Sequence, residues 1–103
     1  MNPRVAQFQA LVDQQPDNEL FRFSLAQALV GDGQAAQAIP HYAYCAGKKA
    51  DWMMPRILLG KILLAGQRRA EAKPFLEEAL ALAIAQHHED PERELRALLA
   101  DLR

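Results

Sequence analysis

Shifted by 34 residues, the chain matches itself, and no other feature limits its fold so strongly. Asp17 meets Asp51, Arg22 meets Arg56, Leu25 meets Leu59 and Leu29 meets Leu63. Further on, Ala36 meets Ala70, Ala38 meets Ala72 and Pro40 meets Pro74. Between these identities the chemical class is kept, as in Leu20 with Met54, Phe23 with Ile57, Ala26 with Gly60, Val30 with Leu64 and Cys45 with Ala79. A fixed period of about 20–50 residues marks an array of stacked units, because one unit alone cannot bury its apolar face.

Each copy reads as two helices joined by a tight turn. Leu25, Ala28 and Leu29 recur at helical spacing in the first copy, as do Leu59, Ile62 and Leu63 in the second. Gly31-Asp32-Gly33 stops the first helix, since glycine takes the left-handed capping conformation without steric cost, and Ala65-Gly66-Gln67 stops its counterpart. The second helices run from about Ala35 to Gly47 and from about Arg69 to Gln86. Their inward faces are Ala38, Ile39, Tyr42 and Cys45, then Ala72, Leu76, Ala79 and Leu80. Pro40 and Pro74 leave two outcomes. Either each helix begins late, near Gln37 and Glu71, or it begins early and bends; the small residues four positions back favour an early start.

The flanks extend the array. Asn2-Pro3 is a capping side chain followed by a proline, and opens a helix to about Gln14 with Val5, Phe8, Leu11 and Val12 on one face. Pro16-Asp17-Asn18 ends it and caps the next. Asp90-Pro91-Glu92 repeats the cap-plus-proline start and opens a last helix, with Leu95, Leu98, Leu99 and Leu102 inward and Arg93, Glu94, Arg96 and Asp101 outward. The expected fold is therefore all-α: about six antiparallel helices in a right-handed superhelical stack, with no strand. It forms a single domain over residues 1–103, made of an N-terminal helix (1–15), two repeats (17–50 and 51–84) and a closing helix (85–103).

The period and the placement of small and large residues resemble the tetratricopeptide repeat (TPR) family. Leu25-Ala26 and Leu59-Gly60 lie in the first helices, and small Ala38 and Ala72 early in the second. Large Tyr42 and Leu76 follow four positions on, and small Cys45 and Ala79 three later. Pro16-Asp17-Asn18 is similar to the family's repeat-ending turn. The resemblance covers about Pro16 to Ile84, with the first helix similar to half of a degenerate repeat and the last to the family's capping helix. Arg22 and Arg56 depart from it, standing where the family places a large aromatic, and prolines inside the second helices are unusual. The resemblance implies a helix-turn-helix solenoid whose first helices line a concave groove for a peptide or partner helix. On that alignment the groove residues are Leu20, Phe23, Gln27 and Val30, then Met54, Ile57, Lys61 and Leu64. Some family members clamp a terminal carboxylate with Lys and Asn. Here Phe23 and Ile57 stand at matched places, with Gln27 and Lys61 one turn on, which implies an apolar segment oriented by Lys61 and Gln27. Phe23, Ile57 and Lys61 are then expected on the binding surface and outside the core. The alternative is that the first and last helices cover these residues.

Composition bounds the remaining classes. Lys and Arg total 12 against 13 Asp and Glu, a net charge of −1 that gives no electrostatic reason for a nucleic-acid or anionic-membrane partner. No apolar run approaches the roughly 20 residues that span a bilayer, and Met1 to Ala10 lacks the build of a secretory signal. The single cysteine, Cys45, cannot form an internal disulfide, and a cytoplasmic address is expected. No catalytic residue, metal site or cofactor is expected. His87 and His88 are adjacent, so a helix points them about 100° apart, and further ligands are lacking. His41 and Cys45 lie four apart without a third orienting group, which favours a buried structural thiol over a nucleophile. Trp52, at the repeat junction, is expected to pack. Two functions stay open: an adaptor that binds a protein or peptide, or a module that forms a homodimer through the same apolar patch.

Overall fold

A computed structural model describes residues 2–102; Met1 and Arg103, the ends of the expected domain, lie outside the described residues. Six helices and no strand occur among the described residues. The chain divides into two compact units between Ala50 and Asp51, where the second copy of the repeat begins.

The first unit contains α1 (Pro3–Gln14), α2 (Glu19–Gly31) and α3 (Ala35–Lys48), with α2 packed against both others. Asn2 caps α1, its side-chain oxygen accepting from Arg4 N–H at 2.8 Å, and Pro3 occupies the first turn. Asn18 caps α2 in the same way, accepting from Leu20 and Phe21 N–H at 3.0 and 3.1 Å. The core is Val5 and Val12 of α1, Leu25, Ala26, Ala28 and Leu29 of α2, and Ala38, Tyr42, Cys45 and Ala46 of α3.

The second unit contains α4 (Met53–Ala65), α5 (Arg69–Ala85) and α6 (Glu89–Ala100), with α5 packed against both others. Leu59 and Leu63 of α4, Ala72, Leu76, Ala79 and Ala83 of α5, and Leu95 of α6 are buried. Gly60 admits α5 closely: a Cβ there would lie 2.5 Å from Leu76 Cδ2. Ala38 and Ala72 are fully buried, as small residues at helix crossings must be.

Two arginines one repeat apart, Arg22 and Arg56, tie the helix pairs together. Arg22 Nε donates to Pro16 O at 2.8 Å and its guanidinium lies 4.4 Å from the centre of the Tyr44 ring. Arg56 Nη1 donates to Trp52 O at 2.7 Å and its Nε reaches Glu78 at 3.2 Å. Tyr44 and Glu78 are themselves one repeat apart, so the same contact is made twice with different chemistry. Trp52 is half-buried at the start of α4.

Both interior prolines fall six residues into helices that begin at Ala35 and Arg69, which is the early start. Two expectations need correcting. The left-handed residue after α4 is Gln67 (φ 65°), and Gly66 has φ −86°. Asp90 is not a cap but lies inside α6, whose cap residue is His88. The cause is common to both. Three helices end in the same turn, with Gly33, Gln67 or His87 left-handed. In each, the next N–H bonds five residues back: Gln34 to Leu29 O and Arg68 to Leu63 O at 2.8 Å, and His88 to Ala83 O at 2.9 Å. That turn finishes at His88, so α6 starts at once. Pro91 remains in its first turn, where the missing N–H has no partner to lose.

Gln67 therefore holds a conformation that glycine adopts freely. Gln67→Gly should stabilise the protein by about 0.5–1 kcal/mol and Gly33→Ala should destabilise it by about 1 kcal/mol in chemical denaturation. Destabilisation by Gln67→Gly, or no loss on Gly33→Ala, would place the strain elsewhere.

Candidate partner-binding faces

On α2, the residues at 20, 23, 27 and 30 share one face by helical spacing. Leu20 is 59% exposed and Val30 41% exposed, and Gln27 is also exposed. Phe23 is half-buried, its ring edge-on to Tyr42 with centroids 5.6 Å apart. It is thus a partial wall of the core.

On α4, Met54 is 42% exposed and Lys61 is exposed, while Leu64 is half-buried. Ile57 corrects an expectation: it is only 4% exposed and belongs to the core. Its place opposite Leu59 and Leu63 pointed to a free face, but α4 buries residues on nearly every side, including Met53, Pro55, Arg56 and Gly60. Ile57 lines a depression of about 300 Å³ together with Met54, Leu58 and Lys61 of α4 and Asp90, Pro91 and Glu94 of α6. Lys61 Nζ lies 2.8 Å from Glu94 Oε1 across it. The lysine expected to orient a partner is thus already engaged within the unit. Sequence reasoning missed the α6 wall. Asp90 and Glu94 are one helical turn apart, and once the helix start moves to Glu89 that spacing puts them on one side.

The residues weighed for chemistry take structural places. Cys45 is fully buried and its thiol donates to Glu19 O at 3.3 Å. Burial, then the charge of Glu19, pushes the thiol up to about 11, so it stays protonated at neutral pH and is a poor nucleophile. His41 lines a second depression, of about 380 Å³, with Val5, Gln9 and Asp13 of α1 and Leu29, Gln34 and Gln37. Its Nδ1 is buried without a hydrogen-bond partner among the described residues. His87 is the left-handed turn residue and His88 precedes α6.

Burial, followed by the charge of Arg22, holds the His41 imidazole below its ordinary value of 6.5. The fold thus favours neutral His41. The contribution is present above the unfolded-state value and is lost as pH falls below it, when the unfolded chain binds the extra proton. The urea midpoint should fall between neutrality and mildly acidic pH, and His41→Gln should reduce that fall. An unchanged pH dependence in the variant would remove His41 from the account.

No protein-family model matches the chain, and no curated protein matches it. Among solved structures the chain is similar to SycD, the type III secretion translocator chaperone of Yersinia enterocolitica. The TM-score is 0.85 at 22% identity, over 95% of this chain and 68% of SycD. At that identity the likeness is one of fold.

Proposed function

We propose that this protein is a non-enzymatic interaction module, of the tetratricopeptide kind, that holds an apolar segment of a partner protein on the α2 face of the first unit and the α4 face of the second. One observation carries the reading. Among the described residues four large hydrophobic side chains are exposed, Leu20, Val30, Met54 and Ile84, and three of them belong to α2 and α4. Leu20 and Met54 occupy the same place in successive repeats, so an apolar side chain is left in water twice at matched positions. Repetition at matched positions is what supports a surface for a partner, since single exposed apolar residues are ordinary. The fold likeness to a translocator chaperone supports the same reading. The protonated, enclosed Cys45 gives no support to covalent catalysis, and an unpaired buried thiol fits a reducing cytoplasmic address.

Ile57 enters the proposal as the floor of the second face, with Met54, Lys61 and Leu64 around it. On the first face, Leu20 and Val30 are the anchors and Gln27 is the polar contact. Self-association through these faces is the competing reading.

Selection from a random peptide-display library tests the proposal. Peptides with apolar anchors should be recovered. Leu20→Asp and Met54→Asp should each weaken them about tenfold or more, the equivalent of about 1.4 kcal/mol, with unchanged helical circular dichroism. Recovery of no apolar-anchored peptide, or binding indifferent to both substitutions, would defeat it.

A further inference from the structure

The depression between α4 and α6 has a feature the first unit's face lacks: its rim is charged, and unequally. Its lining carries one cation, Lys61, and two carboxylates, Asp90 and Glu94. Glu94 is paired with Lys61 at 2.8 Å, both side chains about half exposed, whereas Asp90 has only a 3.7 Å approach from Arg93. The lining therefore holds one carboxylate more than it holds cations, and the positive end of the α6 dipole offsets about half of that charge. The floor is apolar, formed by Met54, Ile57, Leu58 and Pro91. A volume of about 300 Å³ is at the low end of small-ligand pockets and suits one or two side chains of a polypeptide.

We infer that this depression receives an apolar side chain of the partner with a lysine or arginine beside it, the cation being held by Asp90 and Glu94. The inference rests on the proposed function and names the partner's chemistry at one of its faces. Charge complementarity selects this occupant. An acidic segment would face the two carboxylates and gain only a contact with Lys61, which it would have to take from Glu94. A cationic one shares Asp90 with Arg93, a 3.7 Å pair whose side chains are both largely exposed, and shares Glu94 with Lys61. Lys61 limits the preference and does not create it.

Two fluorescein-labelled peptides with the same leucine pattern, one flanked by lysines and one by glutamates, test the inference by anisotropy on the full chain. At low salt the lysine peptide should bind about fivefold more tightly, the factor expected of an exposed ion pair, and added salt should erode the difference. Asp90→Asn with Glu94→Gln should reduce the ratio to near unity. Lys61→Gln should raise it, whereas a purely structural role for the Lys61–Glu94 pair predicts weaker binding of both peptides. Equal binding of the two peptides to the wild type, or a preference for the glutamate peptide, overturns this inference and leaves the proposed function standing. Binding of neither, with Met54→Asp without effect on any ligand, overturns both. A dimer dissolved by Met54→Asp assigns the depression to a second copy and also overturns it.

Discussion

The approach of α4 to α5 at Gly60 sets the terms for the rest of the second unit. A Cβ at that position would lie 2.5 Å from Leu76 Cδ2 and 2.7 Å from Leu76 Cγ, distances that packed carbon atoms do not tolerate. With hydrogen there, Leu76 fills the space and is fully buried. The small-residue requirement then propagates along α5, where Ala72, Ala79 and Ala83 are also fully buried. Elsewhere on α4, Ile57 is buried at the floor of the depression it lines with α6 residues, and Met54 is left 42% exposed.

The first unit meets the same geometry with other residues. Ala26 and Tyr42 stand one repeat before Gly60 and Leu76, and both are buried. Arg22 stacks on Tyr44 where Arg56 pairs with Glu78, and Gly33 takes the left-handed position that Gln67 takes later. The backbone carbonyls of Asp17 and Asp51, also one repeat apart, accept from Tyr44 Oη at 3.0 Å and from Gln86 Nε2 at 2.9 Å. Geometry is conserved between the units more strictly than chemistry. That is why identity between the copies is low while their spacing is regular.

The helices were legible because period, caps and turns agree: Asn2, Asn18, Gly33 and the buried alanines each point to the same architecture. Legibility failed where a rule of composition met a geometry that tolerates exceptions. Gln67 and His87 adopt the conformation that glycine signals, and no sequence rule marks them. Asp90-Pro91 has the residues of a helix start but sits inside α6 because the preceding turn ends at His88. The candidate faces were half legible. Leu20, Val30 and Met54, placed on a free face by the repeat resemblance, are exposed. The burial of Ile57 and the pairing of Lys61 with Glu94 were not legible, because one helix's periodicity carries no information about which later helix crosses it.

The dependence of the fold on one close approach is measured most directly by a double-mutant cycle in urea on Gly60→Ala and Leu76→Ala. Alone, Gly60→Ala should destabilise by about 1–3 kcal/mol through overpacking. Leu76→Ala alone should destabilise by about 2–5 kcal/mol by opening a cavity. Together they should fall short of the sum by more than about 1 kcal/mol, because the new methyl group enters the space that Leu76 vacates. Additivity to within about 0.5 kcal/mol would contradict the account, since α4 and α5 would then not be held by this contact.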